Sequence, residues 1–182
     1  MSADLSDRVT HQDSAIHHGG LRPDSAVQLL IMHTTDGDSA QSSIDYLNTT
    51  DDKTASYHYV IDRDGSIIRM TNPNLIAYHA GDSAWPNPVK ATAANPDRPN
   101  GGRSVNRISI GIAWANKGEP LTDAQIESGL WLCGTLATEY GVLVDSIRGH
   151  REVSPGRKVD PPPEVQEMNE WRALVDNYRA GT

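Results

Sequence analysis

Residues 27–32, Val-Gln-Leu-Leu-Ile-Met, form a short and nearly continuous apolar run. The run stops at His33 and is followed by the polar stretch Thr34-Thr-Asp-Gly37. A run of this kind is typical of a β-strand that is buried on both faces of a sheet. It predicts that the centre of the fold is a covered sheet, with His33 at the end of one of its inner strands.

Strand and helix patterns alternate along the chain, which predicts an α/β fold with one central mixed β-sheet flanked by helices. We expect a single domain over 26–182, preceded by a polar N-terminal arm over 1–25. The segment 82–106 contains four prolines and predicts a long irregular loop. The other predicted elements are a helix at 39–48, a hairpin at 57–69 with an Asp-Gly turn, a strand at 108–114, a helix opened by the capping box Thr122-Asp-Ala-Gln125, a strand at 142–147 and a helix at 164–180.

Composition excludes several classes of protein. The net charge is -8, whereas binding to nucleic acid requires a basic surface. No apolar run reaches the ~18 to 20 residues of a membrane helix, so we expect no membrane insertion. The first twenty residues lack the basic and apolar regions of a signal peptide. Cys133 is the single cysteine, which rules out a disulfide within the chain.

Two histidines and one aspartate stand out as candidate metal ligands. His33 and His150 each close an apolar strand run before a polar loop, and Asp160 follows ten residues after His150. Two imidazoles and one carboxylate make a three-ligand zinc set that leaves the fourth position open. A histidine at a strand end is more often a hydrogen-bonded structural residue, so both interpretations stay open on these residues alone. We interpret His58, which lies between two tyrosines, as a core residue. We expect three other histidines to be solvated: His11, His17 and His18.

Six motifs that occur in a fixed order favour the zinc-ligand interpretation over the structural one. They are Ile31-Met-His-Thr-Thr35, Ser56-Tyr-His-Tyr-Val-Ile-Asp-Arg-Asp-Gly65, His79-Ala-Gly81, Ser109-Ile-Gly-Ile112, Leu121-Thr-Asp-Ala-Gln125 and Gly149-His-Arg-Glu-Val-Ser-Pro-Gly-Arg-Lys-Val-Asp-Pro161. Over roughly residues 25–178 the chain resembles the type-2 N-acetylmuramoyl-L-alanine amidases. That family includes phage endolysins, peptidoglycan recognition proteins and muropeptide-recycling amidases. The resemblance implies hydrolysis of the amide between N-acetylmuramic acid and L-alanine, with bacterial peptidoglycan as the partner.

The resemblance also assigns roles to individual residues. It implies one zinc ion per chain, held by His33, His150 and Asp160. Lys158 matches the lysine that stabilises the transition state, and Tyr57 matches a tyrosine beside the reacting water. For Lys158 the structural alternative is a solvated loop charge, and for Tyr57 it is a strand aromatic packed on the core. Three residues are further expected to line the substrate groove: His79, Trp85 and Trp114.

One position departs from the recycling amidases, which carry a catalytic glutamate after the Ser-Ile-Gly-Ile motif. Here that position is Ala113, while Tyr57 is present, a combination that resembles the endolysins. The sequence therefore predicts a monomeric phage endolysin, made in the host bacterial cytoplasm and released to the cell wall through a holin-type lesion. A cytosolic muropeptide-recycling amidase and a non-catalytic peptidoglycan-binding module are the alternatives.

Overall fold

The computed structural model of the chain describes Leu5 and residues 8–49, 55–83 and 104–181. The strands are β1 (Val9–His11), β2 (His18–Leu21), β3 (Leu29–Thr34), β4 (Tyr59–Ile61), β5 (Ile67–Arg69), β6 (Leu75–Ala77), β7 (Ser109–Trp114) and β8 (Ile147–Gly149). The helices are α1 (Ala40–Thr49), α2 (Asp123–Glu139), α3 (His150–Val153), α4 (Pro163–Gln166) and α5 (Met168–Gly181).

A mixed sheet of six strands organises the fold, in the order β1-β5-β4-β7-β3-β8. All neighbouring strands run parallel except β4 and β5, which form the antiparallel hairpin expected from the Asp-Gly turn. Gly65 has a φ of 85° in that turn, a conformation that glycine adopts without steric cost. A second, two-stranded antiparallel sheet joins β2 to β6. The predicted α/β class with a central mixed sheet is confirmed.

Both faces of the six-stranded sheet are covered, as the apolar run in β3 predicted. Leu30 and Met32 of β3 belong to the main core cluster, which is completed by apolar residues of α2 and α5. Alternate residues Leu29 and Ile31 face the other side and pack with Ala80. Full burial of each such Leu or Ile side chain contributes about 1.5–3 kcal/mol to folding. This burial holds β3 rigidly in register and therefore fixes the position of His33 near its end.

Several predicted elements have different bounds in the structure. The arm expected over 1–25 contributes β1 to the edge of the large sheet and β2 to the small one. The strand expected at 142–147 begins only at Ile147, since Val144–Ser146 forms a short 3-10 turn. The last helix is divided into α4 and α5 at Glu167. The predicted α1 and β7 and the capping box at the start of α2 are confirmed. Among the described residues, no helix has the length and hydropathy of a membrane span.

Candidate metal centre

The sheet topology brings His33 and His150 together. Strands β3 and β8 are parallel neighbours in which Met32 pairs with Gly149. His33 follows Met32 within β3, and His150 follows Gly149 as the first residue of α3, so both lie at the same end of the sheet. Their ring centroids lie 4.5 Å apart. The ends of the two strands therefore meet at one end of the sheet.

Asp160 completes a triangle of donor atoms at this edge. Its Oδ2 lies 3.1 Å from His33 Nδ1 and 3.1 Å from His150 Nδ1, and the two Nδ1 atoms are 3.0 Å apart. The carbonyl oxygen of Asp160 accepts a hydrogen bond from Arg151 N at 2.9 Å, which ties the aspartate back to α3. Zinc binds nitrogen and oxygen ligands at about 2.0–2.2 Å, so tetrahedral ligand atoms stand about 3.3 Å apart. The triangle is close to the size that a zinc ion requires.

The proton positions also fit a cation rather than a network of hydrogen bonds. His150 Nε2 lies 2.9 Å from the carbonyl oxygen of Ala80, which only accepts hydrogen bonds. Nε2 therefore carries a proton, which in the tautomer that binds a metal leaves the Nδ1 lone pair of His150 facing Asp160. A lone pair that faces a carboxylate in a buried site needs a cation between them. In the part of the chain that the structure describes, these three residues form the one group of histidine, cysteine and acidic side chains with metal-ligand spacing.

The electrostatics keep the His33 imidazole neutral, as metal ligation requires. Burial above all, together with neighbouring His150, lowers the pKa of His33 to about 4, against the opposing effect of Asp160. The positive charge of Lys158 also acts on His33 and lowers its pKa. Protons therefore do not compete for this ligand at neutral pH.

Tyr57 lies beside the triangle and remains protonated. Its ring centroid is 5.2 Å from that of His33, and its hydroxyl is 3.5 Å from the carbonyl oxygen of Thr34. Burial raises the pKa of the Tyr57 phenol, and the carboxylates of Asp160 and Asp36 raise it further. A half-buried phenol of this kind donates a hydrogen bond or a proton; it does not act as a base at neutral pH. Lys158 is exposed on the loop that leads to Asp160.

Ala113 occupies the sheet position directly beside His33. The two residues pair in the parallel register of β3 and β7, so their side chains point to the same face. Ala113 is fully buried. The position given to a catalytic glutamate in recycling amidases therefore carries no carboxylate here.

The three residues expected to line a substrate groove have different surroundings. His79 is 7% exposed and lies behind His33, with its Nδ1 2.9 Å from His33 Nε2. Trp114 is completely buried in the core, where its ring packs edge-on against Trp171 and its Nε1 donates to the carbonyl oxygen of Gln125. Its place in the core, on the side of α2 and α5, gives Trp114 no surface for a substrate. Trp85 lies outside the described residues.

Two groups at the site were not anticipated from the sequence: the carbonyl of Ala80 and the hydroxyl of Ser109. Ala80 accepts from His150, while Ser109 Oγ lies 3.1 Å from His79 Nε2. Both occur in motifs recognised in the sequence, His79-Ala-Gly81 and Ser109-Ile-Gly-Ile112. A backbone carbonyl has no side-chain signature, but the polar Ser109 at the start of an apolar strand was a visible signal.

The family model described as N-acetylmuramoyl-L-alanine amidase matches residues 23–163. The chain belongs to this family. The matched span contains the complete donor triangle and every strand of the large sheet except β1.

Individual relatives agree with that assignment. The 1,6-anhydro-N-acetylmuramyl-L-alanine amidase AmpD of Enterobacter cloacae is 32% identical over 105 residues, which cover 57% of this chain and 49% of the relative. The N-acetylmuramoyl-L-alanine amidase AmiD of Escherichia coli is 27% identical over 166 residues, which cover 82% of this chain and 52% of the relative. The chain thus spans about half the length of these curated relatives. A crystal structure of AmpD superposes with a TM-score of 0.71 at 27% identity, covering 92% of this chain and 94% of that one. Endolysin structures match at 20% identity or less and show a common fold only.

Proposed function

We propose that this chain is a zinc-dependent N-acetylmuramoyl-L-alanine amidase that acts on soluble muropeptides with a 1,6-anhydro sugar. The observation that carries the catalytic part is the buried triangle of His33, His150 and Asp160, with donor atoms 3.0–3.1 Å apart. The open side of such a triangle leaves a coordination position for substrate or water, as catalytic zinc sites require.

The relatives support the choice of substrate. The curated AmpD enzymes are named for the 1,6-anhydro form of N-acetylmuramyl-L-alanine. The AmiD structure that resembles this chain was solved with anhydro-N-acetylmuramic acid linked to a peptide that begins with L-Ala. These names favour a recycling role over the endolysin role that was predicted from Tyr57 and Ala113.

The reaction is the hydrolysis of one amide bond. A zinc ion held by His33, His150 and Asp160 would supply the Lewis acidity that amide hydrolysis needs at neutral pH. The ammonium of Lys158 stabilises the negative charge that develops on the carbonyl oxygen of the lactyl group. The phenol of Tyr57 either orients the attacking water or protonates the leaving nitrogen. The water oxygen bonds to the carbonyl carbon, one O–H bond of the water and the C–N bond break, and the leaving nitrogen gains a proton. The products are a carboxyl group on the lactyl moiety and the new amino terminus of the peptide.

A specific observation favours the endolysin as a second candidate. Ala113 takes the place of the glutamate of recycling amidases beside His33, and protonated Tyr57 lies next to His33 as the candidate proton donor. An enzyme of this type would act on polymeric cell wall rather than on soluble fragments. A non-catalytic binding module is less well supported, since such modules typically lose a zinc ligand and all three are in place here.

The test compares two substrates on one preparation of the zinc-loaded protein. A soluble anhydro-muropeptide and intact sacculi are digested in parallel, and the products are identified by mass spectrometry. We expect free peptide with an L-alanine amino terminus and an intact anhydro sugar from the soluble substrate. Asp160→Ala should abolish the reaction, whereas Asp176→Ala, which removes an exposed carboxylate of α5, should not.

The outcomes separate the candidates. Turnover of sacculi without turnover of the soluble substrate would establish the endolysin role and exclude recycling. New reducing sugar ends without new amines would refute amidase activity altogether. Binding of both substrates without any product would identify a binding module.

A further inference from the structure

The far-side nitrogens of both histidine ligands contact one dipeptide, His79-Ala80. His150 Nε2 donates to the Ala80 carbonyl oxygen, and His33 Nε2 lies 2.9 Å from His79 Nδ1. The first contact fixes the tautomer of His150 through the backbone. The second is between two imidazoles, so its direction depends on what holds the other nitrogen of His79.

The other nitrogen of His79 is held by Ser109. The Ser109 hydroxyl donates to the carbonyl oxygen of Val105 at 2.7 Å, so its proton is already committed. Ser109 Oγ then has only lone pairs to offer His79 Nε2 at 3.1 Å, and Nε2 must carry the proton. The Nδ1 of neutral His79 is left as an acceptor, so His33 Nε2–H donates to it. The same reasoning leaves the lone pair of His33 on Nδ1, which faces Asp160.

The surrounding chain holds this arrangement in place. Asn106 Oδ1 accepts from Ala80 N at 2.9 Å and anchors the dipeptide. Gly111, two residues after Ser109 and on the same face of β7, leaves room for the His79 ring: a Cβ there would lie 2.5 Å from His79 Cγ. The strand motif Ser109-Ile-Gly-Ile112 thus supplies His79 with both a hydrogen bond and the necessary space.

We propose that His79 and Ser109 are positioning residues that hold His33 in its Nε2–H tautomer, so that Nδ1 is ready to bind the metal before the metal arrives. The chain of hydrogen bonds runs from His33 through His79 and Ser109 to the Val105 carbonyl oxygen. This inference rests on the proposed zinc-dependent function. Partners that orient metal-bound histidines in this way are worth about 10- to 100-fold in metal affinity or activity.

The experiment measures zinc affinity by competition with a chromophoric chelator, on chains stripped of metal. Ser109→Ala and His79→Leu should each weaken zinc binding by about 10- to 100-fold. His79→Asn should stay close to the wild type, because its amide oxygen can replace Nδ1 as the acceptor. Ser128→Ala is the matched control: Ser128 is also buried and donates to a backbone carbonyl, that of Gly65 at 2.6 Å, and should leave affinity unchanged.

A second readout does not depend on zinc. Side-chain ¹⁵N NMR of the metal-free wild type should show His33 protonated on Nε2 and bare on Nδ1, and Ser109→Ala should lose this single tautomer. The positioning role alone would be overturned if the wild type binds zinc and cleaves substrate, and Ser109→Ala binds zinc as tightly as Ser128→Ala does. A His33 proton on Nδ1 in the metal-free protein would overturn it as well. A wild type that binds no zinc would instead refute the proposed function.

Discussion

Gly111→Ala is expected to disturb the metal centre without touching any ligand. The added Cβ would lie 2.5 Å from His79 Cγ and 2.8 Å from its Nδ1, whereas unstrained carbon atoms stay about 3.5–4.0 Å apart. The imidazole must therefore shift by about 1 Å. A shift of that size would lengthen the 2.9 Å contact with His33 beyond hydrogen-bonding distance.

Two quantities follow from that displacement. Overpacking of this kind costs about 1–3 kcal/mol, which corresponds to a fall in melting temperature of roughly 2–12 °C for a domain of this size. Loss of the contact with His33 should weaken zinc binding by about 10- to 100-fold. Neither effect is expected from backbone strain, since Gly111 does not have the positive φ that disfavours alanine.

Gly129→Ala in α2 provides the matched control. A Cβ at Gly129 would also lie 2.5 Å from a ring atom, Cζ2 of Trp114, but in the core rather than at the site. Both variants should melt at lower temperature, although alanine's better helix propensity offsets about 0.5–1 kcal/mol of the loss at Gly129. Only Gly111→Ala should lose zinc affinity, measured by chelator competition. Equal zinc affinity in the two variants would refute the argument that the space at Gly111 supports the ligand.

Three further outcomes are expected. Tyr57→Phe should keep zinc and most of its stability while turnover falls by about 100-fold or more, the usual worth of a positioned proton-transfer group; an unchanged rate would remove Tyr57 from the chemistry. Lys158→Ala should lose rate but neither zinc nor stability, and Lys158→Arg should recover little, because a planar guanidinium does not replace a point charge; full activity of either variant would mark Lys158 as a solvated charge. Burial, followed by the charge of Arg22, lowers the pKa of His58 to about 3. Between pH 6.5 and about pH 3, His58 is therefore protonated in the unfolded chain but not in the folded chain. The melting temperature should fall as the pH drops through this range, and it should fall less steeply in His58→Asn.

The members of the donor triangle could be named as candidates from the sequence, but only the family resemblance favoured a metal site over structural histidines. His33 ends an apolar strand run, and parallel strands open at the same edge, so its meeting with His150 followed from the α/β pattern. The role of Ala80 could not be predicted in this way, because it acts through a backbone carbonyl 70 residues before His150 in the chain. The strand β2 was missed for a related reason: His18-Gly-Gly-Leu21 has no strand pattern and pairs with β6 only through tertiary contact.

His79 was predicted to line the substrate groove, and the structure places it behind His33 with 7% of its surface exposed. Its position in His79-Ala-Gly81 marked it as functional, but exposure to substrate does not follow from a motif. A glycine within a strand often indicates that another group approaches the backbone closely. Gly111 in Ser109-Ile-Gly-Ile112 is such a glycine. The sequence could not tell that the approaching group is His79, since the two residues are brought together by the sheet.

Titration of the metal-free protein with zinc tests most directly whether one zinc ion at His33, His150 and Asp160 drives amide hydrolysis. The rate of L-alanine amino-terminus release from a soluble anhydro-muropeptide is followed at each addition. We predict that the rate rises from zero in proportion to added zinc and stops rising at one equivalent per chain, with no response in Asp160→Ala. Full activity before any zinc is added, or an equal response in Asp160→Ala, would contradict the account.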